Sequence, residues 1–374
     1  MNTRRLNPEL IMKRFPLFIL MPAFALMISA CKDSEHSLAI RPPVDTVGFA
    51  RYKWQVDSVL ARIARFQPEQ LSNAEAAFKP SEELRVAISP HDDYAYVGYL
   101  YPALLQHIRS DVVILFGVGH KARNFGLENK IIFGSFWRWK SPGGSVEVSP
   151  LQHSLMKKLP EDMFVIHDSL QTVEHSLEAV IPFLEHYNND VKIIPIIVPY
   201  MSYDRMEAVS AALAPAIAET MDKAQLSWGT GWSIVISTDA VHYGNEDWGG
   251  KNYDRFGVDS AGYRQTVDYE QHIMYHMLAG ELSPGKIKAF STCTVLESDY
   301  HEYKWTWCGR YSVPLGLLTA YKISEIKNEP LTGIPFGYST SIANNPIPVS
   351  DLGMGVTAPA KLTHWVGYAA VGYR

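Results

Sequence analysis

The sequence has few cysteines and none of the closely spaced motifs that mark common metal sites. Its 374 residues include three cysteines, and neither a CxxC nor a HExxH pattern occurs. A metal site in this chain would therefore be assembled from residues that lie far apart in the sequence. Two of the cysteines lie far from the N-terminus. Cys293 and Cys308 could form a disulfide with each other, or Cys308 could be a thiolate ligand.

The sequence also lacks an excess of basic residues. Lys and Arg number 34 against 39 Asp and Glu, which gives a net charge of −5 at pH 7. Nucleic-acid binding depends on Lys and Arg clusters that neutralise backbone phosphates, so we expect no nucleic-acid partner. With 47% hydrophobic and 12% aromatic residues, the chain can bury a large core.

One long hydrophobic run is present, at the N-terminus, and it is short for a membrane span. The run Phe15–Ile28 follows a basic start at Met12 and ends just before Cys31, whereas a spanning helix needs about 17–25 residues. This anatomy is typical of a bacterial lipoprotein signal. We predict a signal peptide over residues 1–30, a lipid on Cys31, and a tether over residues 31–43. The protein would then be anchored to a membrane of the bacterial cell envelope, periplasm-facing or surface-exposed; a single transmembrane anchor is the alternative.

The remainder of the chain alternates apolar strands with amphipathic helices. Four continuous apolar runs read as buried strands: 84–89, 111–116, 191–198 and 232–237. Strands that are apolar on both faces and alternate with helices favour an α/β fold with a mostly parallel or mixed central sheet flanked by helices. We predict one such layered domain over residues 44–374. Pro195 lies inside one of the runs, which predicts an edge position or a bulge there.

Three of these strands are followed closely by residues that can bind metals or move protons. His91 follows the first strand, His120 the second, and Asp239 with His242 the last. The carboxyl ends of parallel strands meet at one edge of a sheet, so these side chains can converge. Two imidazoles and one anionic ligand suit a transition metal with open coordination positions. The anionic ligand could be Asp239 or Cys308. A helix is predicted to begin just after Cys308, and the start of a helix lowers the pKa of a nearby thiol. Each histidine alone could also be a structural core residue.

Five short motifs follow one another along the chain: Pro90-His91 with Tyr94 and Gly98, Gly117-x-Gly119-His120, Glu174-His175-Ser176-Leu177-Glu178 with Pro182, Ser237-Thr238-Asp239 with His242-Tyr243-Gly244, and Cys308-Gly309-Arg310. In order and approximate spacing they resemble the Memo family, also called AmmeMemoRadiSam system protein B. The resemblance runs from about Arg41 to Tyr373.

This resemblance implies a fold similar to that of the class III extradiol dioxygenases, which are non-haem iron enzymes. It also implies metal ligation by His91, His120 and Cys308. Asp239 and His242 would stand beside the metal, with His242 in the place of an acid/base histidine. Memo proteins are described as binding iron or copper with redox activity, and a non-enzymatic role in binding phosphotyrosine peptides has been proposed for animal members.

The chain departs from the family pattern at the rim of this site. Most members read Pro-His-Ala-Gly-Tyr where this chain has Asp92 and Asp93 between the histidine and the tyrosine, and Lys121 replaces a second histidine. These changes alter the charge that a substrate would meet, so a changed substrate should be sought there first.

The resulting hypothesis is a lipid-anchored Memo-like metalloprotein that carries out redox or dioxygenase-type chemistry on a small molecule. Fe(II) is the first choice of metal, and copper or zinc are the alternatives. Four further residues are assigned to binding the substrate or an anion: Arg310, Tyr94, His175 and Glu174. A non-catalytic copper-binding or peptide-binding module and a zinc hydrolase are the competing hypotheses.

Overall fold

A computed structural model describes residues 39–79, 81–246 and 253–374. The predicted signal peptide, Cys31 and residues 31–38 of the predicted tether lie outside the described residues. Residues 40–41, which the sequence assigned to the tether, form the first strand of the sheet. No helix in the described ranges is both long and apolar enough to cross a membrane.

The strands are β1 (Ile40–Arg41), β2 (Val86–Ser89), β3 (Val112–Val118), β4 (Ile131–Phe133), β5 (Arg138–Ser141), β6 (Gly144–Val148), β7 (Phe164–Ile166), β8 (Lys192–Val198), β9 (Trp232–Ser237), β10 (His242–Gly244), β11 (Gly280–Glu281), β12 (Val295–Leu296), β13 (Asp299–Tyr303), β14 (Thr332–Thr340) and β15 (His364–Tyr373). The helices are α1 (Lys53–Phe66), α2 (Pro68–Glu75), α3 (Tyr94–Val97), α4 (Leu100–Leu105), α5 (Leu151–Met156), α6 (Asp168–Gln171), α7 (Ile181–Tyr187), α8 (Tyr203–Lys223), α9 (Ser260–Ile273), α10 (Pro284–Thr294) and α11 (Ser312–Lys327). Short 3₁₀ or π turns occupy Ala122–Phe125, Met274–Leu278 and Ser350–Leu352.

A mixed sheet of 13 strands organises the described chain, and β12 and β13 pair separately. Its strands run in the order β1-β5-β6-β8-β3-β9-β2-β15-β14-β11, with β4, β7 and β10 attached at the sides. The central strands β6, β8, β3, β9 and β2 are parallel, and β15 and β14 extend them in antiparallel fashion. The predicted α/β class with a mostly parallel or mixed sheet is confirmed, and the C-terminal strands β14 and β15 belong to the same sheet.

The sheet is covered by helices on both faces because its central strands are apolar on both sides. Along β3, Ile114 and Phe116 point into one apolar cluster, which α8, α10 and α11 cover. Val113 and Leu115 point into the other cluster, which α1, α4 and α7 cover. Side chains alternate between faces along a strand, so a continuous apolar run produces a three-layer α/β/α arrangement.

Pro195 shows how the sheet accommodates a residue without an N–H. Strand β8 lies inside the sheet, but only β3 pairs with it along its whole length. On its other side, β6 pairs at Lys192 and Ile193 and β4 pairs at Ile197. Pro195 falls in the gap between these partners, so the sheet loses no hydrogen bond on that side. The sequence predicted an edge or a bulge, and the structure has a local edge inside the sheet.

Candidate metal centre

The candidate metal centre lies at the carboxyl ends of three adjacent strands, β3, β9 and β2. His120, Asp239 and His91 each follow the last residue of their strand by two positions. Because the three strands are parallel neighbours, this equal offset places the side chains side by side at one edge of the sheet. The expectation that distant strands deliver residues to one place is therefore confirmed.

The imidazole of His91 is held with its Nε2 atom turned into the site. Its Nδ1 lies 2.8 Å from the Ser237 hydroxyl, and that hydroxyl donates its proton to the carbonyl of Ser176. A hydroxyl has one proton to donate, so Nδ1 of His91 must be the donor in their hydrogen bond and Nε2 keeps its lone pair. Burial and the facing His120 lower the pKa of His91 well below its usual value, which keeps the ring neutral.

A carboxylate holds His120 in the same tautomer. Oε1 of Glu174 lies 2.9 Å from Nδ1 of His120, and Oε2 accepts the backbone N–H of His120 at 2.7 Å. Burial opposes ionisation of Glu174, but His120 and further hydrogen bonds outweigh it and lower its pKa to about 2. The ionised Glu174 thus accepts the Nδ1 proton and leaves Nε2 available. A carboxylate behind a histidine ligand is a common arrangement at metal sites.

Cys308 completes a group of three side chains that can bind one ion. The ligating atoms of His91, His120 and Cys308 all lie within 4.8 Å of one another. Sγ of Cys308 is 3.4 Å from Nε2 of His91. Typical metal–sulfur and metal–nitrogen bonds in a tetrahedral site place such atoms about 3.6 Å apart. The described residues therefore fit a transition metal without a large rearrangement.

The pKa of the Cys308 thiol is shifted in the opposite direction from the one that the sequence predicted. Burial and Asp239 raise its pKa well above the usual value, whereas the nearby helix was predicted to lower it. That prediction is wrong because the residue is buried and α11 begins only at Ser312. Cys293 and Cys308 are both free, so the structure does not contain the disulfide that the sequence left open.

Asp239 and His242 stand beside these three residues. The Asp239 carboxylate accepts the backbone N–H of His91 at 2.9 Å, and its second oxygen is 3.4 Å from Nε2 of that histidine. Burial and the neighbouring Asp92 raise the pKa of Asp239 well above its usual value. Burial and the positive potential of nearby histidines lower the pKa of His242 to about 3. Asp239, His242 and Cys308 form a second group whose ligating atoms lie within 4.8 Å.

A cavity of about 390 Å³ opens onto this group. It is lined by Val44, Asp45, Phe49, His91, Asp92, Asp93, His120, His175, Asp239, His242, Thr357, Ala358 and Val366. His175, a predicted binding residue, stacks on His120 with ring centroids 4.9 Å apart. Burial and His120 lower its pKa to about 4, so it presents a neutral ring to the cavity.

Asp92 and Asp93, where the chain departs from its family pattern, are built into the cavity wall. Asp92 accepts the hydroxyl of Tyr368 on β15 at 2.6 Å. Asp93 accepts the hydroxyl of Thr357 at 3.1 Å, as well as its backbone N–H. Burial and Asp92 raise the pKa of Asp93 to about 7. These carboxylates therefore fasten the wall to the C-terminal segment as well as giving it charge.

Three predicted binding residues, Glu174, Tyr94 and Arg310, do not line this cavity. Glu174 is buried and hydrogen-bonds to His120. The Tyr94 hydroxyl donates to the carbonyl of Ala179 at 2.7 Å, and its ring packs in the core. The guanidinium of Arg310 lies 3.5 Å over the ring of Tyr303 and donates to the carbonyl of His301. The structure thus uses the side chains of Tyr94 and Arg310 in packing, because their backbone positions direct them away from the cavity.

Sequence reasoning assigned no role to Ser237 or Glu270, which help to position the site. It assigned Glu174, which orients His120, to binding the substrate or an anion. Ser237 belonged to a recognised motif, but its hydrogen bond to His91 depends on a strand pairing that the sequence does not show. Glu270 is a fully buried carboxylate on α9 that accepts the backbone N–H of Val241, next to His242. Nothing in the local sequence distinguishes it from other helical glutamates.

The fold and the site together define a class: three-layer α/β proteins with a His/His/Cys group at the carboxyl edge of a parallel sheet. The family model described as Memo-like protein matches residues 58–341, and the chain belongs to this family. A MEMO1 family protein of Pyrobaculum aerophilum is 28% identical over 168 residues, covering 43% of this chain and 54% of the relative. One from Pyrobaculum arsenaticum is 30% identical over 172 residues (44% and 56%). One from Pyrococcus furiosus is 28% identical over 174 residues (44% and 54%). The chain spans about half the length of the curated relatives it matches.

Proposed function

We propose that this chain binds a redox-active transition metal through His91, His120 and Cys308, with Fe(II) as the first candidate and copper as the second. The observation that carries the proposal is that both imidazoles are held in the same tautomer, with the proton on Nδ1. Each has its Nδ1 proton committed to an acceptor in the protein, at 2.8 Å for His91 and 2.9 Å for His120. Both Nε2 lone pairs are therefore available beside the same thiol, which is the arrangement of a preorganised ligand set.

When bound, such an ion supplies electron transfer to dioxygen or to an oxygen-bearing substrate. The surrounding residues supply proton handling. His242 lines the cavity as a neutral imidazole, because its pKa is lowered to about 3. It takes a proton from a substrate hydroxyl when a negative charge bound beside it raises that pKa toward the working pH. Asp239 holds the backbone of His91 and lies against the thiol of Cys308 through its own N–H, at 3.0 Å. Its role is to fix these two ligands.

The substrate is proposed to be a small molecule, since the cavity measures about 390 Å³. Such a volume lies at the lower end of the range for small-molecule sites. Asp92 and Asp93 contribute carboxyl groups to the cavity lining, and His175 and His242 contribute neutral imidazoles. This distribution favours a substrate that carries hydrogen-bond donors toward the aspartates.

Cobalt substitution tests the ligand set directly. We expect the metal-free wild type to bind one Co²⁺ per chain with a thiolate-to-cobalt charge-transfer absorption. Cys308→Ser should abolish that absorption, and His91→Ala should weaken binding by at least about tenfold. Cys293→Ser is the matched control, because Cys293 is also free and buried but lies against the hydroxyl of Tyr269 at 3.1 Å. An absorption that survives in Cys308→Ser would contradict the proposal.

Oxygen uptake by the iron-loaded protein separates an enzyme from a metal carrier. His242→Ala should retain iron while the rate of oxygen consumption with substrate falls by about 10²–10⁴-fold. The buried, soft thiol of Cys308 also suits Cu(I), so the carrier is the second candidate function. Stoichiometric copper without oxygen uptake would support the carrier, and stoichiometric zinc without redox activity would support a hydrolase.

Anchorage to a membrane through a lipid on Cys31 is proposed from the N-terminal sequence. Metabolic labelling with a palmitate analogue, followed by fractionation of the cell envelope, tests it. We expect the label in the membrane fraction for the wild type and a released, unlabelled protein for Cys31→Ser. Membrane association of the unlabelled variant would contradict the proposal.

A further inference from the structure

A second cavity, which no ligand group of the metal centre lines, adjoins the metal cavity. It measures about 310 Å³ and is lined by Pro43, Asp45, Phe49, Ala50, Arg51, Tyr52, Trp139, Lys140, Ser141, Pro142, Glu178, Ile181 and Pro182. Asp45 and Phe49 line both cavities. The two cavities are therefore neighbours along one surface, with these two residues as their common wall.

The floor of the second cavity is aromatic and apolar. Phe49, Trp139 and Ile181 form it, and each of these side chains is at most 5% exposed. Trp139 is held rigidly, because the guanidinium of Arg41 lies 4.0 Å over its ring. Tyr52 stands at the opening and is 56% exposed. A rigid aromatic floor with an exposed aromatic ring at the mouth suits a flat apolar group.

The charge on the rim of this cavity is positive. Arg51 and Lys140 are exposed and line it, and neither has an ion-pair partner within residues 39–79, 81–246 and 253–374. Glu178 also lines the cavity, but Arg41 and two backbone N–H groups already occupy its carboxylate. Arg51 and Lys140 are therefore available to bind an anionic group of a ligand.

Asp45 is the remaining charged group of the wall. One of its oxygens accepts the backbone N–H groups of Val47 and Gly48 at 2.7 Å each. It lies on the side of the metal cavity, whereas Lys140 belongs to strand β5. The cavity is therefore positive at its outer rim and negative only at the boundary with the metal cavity.

We propose that this cavity binds an aromatic anion, with the ring on Trp139 and Phe49 and the acidic group at Arg51 and Lys140. Its position assigns it to one end of the substrate, whose other end lies in the metal cavity. That assignment rests on the proposed function, whereas the binding of an aromatic anion does not. The substrate class is then an elongated aromatic carboxylate or sulfonate.

Two fluorescent probes with the same ring system test the proposal. 1-Anilinonaphthalene-8-sulfonate is an aromatic anion, and N-phenyl-1-naphthylamine is the same skeleton without the sulfonate. We expect the sulfonate to bind the wild type with one site per chain. In the double variant Arg51→Gln/Lys140→Gln its affinity should fall by about tenfold, because two charged hydrogen-bond donors are lost. The neutral probe should bind both proteins equally.

Matched variants show whether the loss of affinity comes from the two rim cations. Lys157→Gln removes an exposed lysine that does not line the cavity and should leave both affinities unchanged. Lys140→Arg should retain sulfonate binding. Equal sulfonate affinity in the wild type and the double variant would overturn the proposal. His91→Ala should bind metal more weakly but bind the sulfonate as the wild type does. Sulfonate binding by a wild type that takes up no metal would overturn the proposed function and leave this proposal standing.

Discussion

Glu270 connects two segments of the metal centre through a single buried carboxylate. Its Oε1 accepts the indole N–H groups of Trp305 and Trp307, at 2.5 and 2.8 Å. Its Oε2 accepts the backbone N–H of Val241 and the hydroxyl of Tyr338, at 3.0 and 3.3 Å. Four donors converge on a side chain that is 0% exposed, so this carboxylate fixes the relative positions of the groups that donate to it.

These contacts make Glu270 a positioning residue for the site. Val241 directly precedes His242, and Trp307 directly precedes Cys308. Because one carboxylate binds both neighbours, it sets the distance between the proton-accepting histidine and the thiol. The ionisation of Glu270 can also be tested, because it makes the free energy of unfolding depend on pH.

Burial raises the pKa of Glu270 from 4.5 to about 7. The folded protein therefore retains this proton up to about pH 7, while the unfolded chain releases it near pH 4.5. The free energy of unfolding must fall as the pH rises between these two values, because the folded state binds more protons there. A difference of about 2.5 pK units corresponds to about 3 kcal/mol. The stabilisation is present below pH 4.5 and is lost by about pH 7.

The variant Glu270→Gln isolates this contribution. The amide has one acceptor oxygen, so at least one buried N–H loses its partner, at a cost of about 1–3 kcal/mol. At about pH 5 we expect the wild type to be more stable by about that amount. At about pH 8 the wild type carries a buried carboxylate, and the variant should equal or exceed it in stability.

Guanidinium unfolding of the metal-free proteins, followed by far-UV circular dichroism, measures the difference. Chelation removes the linkage of metal binding to folding. Glu161→Gln, at an exposed position, is the control for exchanging a carboxyl for an amide. A wild-type-to-variant difference that stays constant between about pH 5 and about pH 8 would refute the reasoning.

Three further predictions concern groups that orient the site. Ser237→Ala should weaken metal binding about 10- to 100-fold, measured by competition with a chromophoric chelator, because His91 loses the acceptor that fixes its tautomer; unchanged affinity would contradict this. Thr357→Val should raise the pKa of Asp93 above its value of about 7, because the variant lacks the hydroxyl whose hydrogen bond lowers that pKa. A ¹³C titration of labelled aspartate carboxyls measures the shift, and an unchanged pKa would contradict this. Arg41→Met should destabilise the fold by about 3–5 kcal/mol, because a buried carboxylate loses its cation; a loss under about 1 kcal/mol in denaturant unfolding would argue against it.

The sheet could be predicted from the sequence because its central strands are continuous apolar runs. Strand β9 was predicted with the bounds that it has, and β2 and β3 within two residues at each end. Pro195 was the exception. The gap opposite it arises from two short strands, β4 and β6, that pair at different heights along β8. Such a gap depends on tertiary pairing, which local propensity cannot reveal.

The convergence of the histidines could also be predicted, since position after a parallel strand determines it. What could not be predicted is the direction of individual side chains. Tyr94 and Arg310 lie close in sequence to proposed ligands, yet their side chains pack into the protein. The raised pKa of Cys308 could not be predicted either, because it depends on burial and on the nearby Asp239.

The two imidazole ligands share one scaffold, and this scaffold supplies no ligand of the His/His/Cys group. The carboxylate of Glu174 holds His120, and two residues later the carbonyl of Ser176 accepts the hydroxyl that orients His91. The guanidinium of Arg41 donates to the backbone carbonyl of Glu174 and anchors the segment to the first strand. A displacement of this short loop would therefore rotate both rings together. The tautomers of the two histidines are therefore coupled through the 174–176 segment. A substitution in this segment should weaken metal binding, although the segment supplies no ligand of the His/His/Cys group.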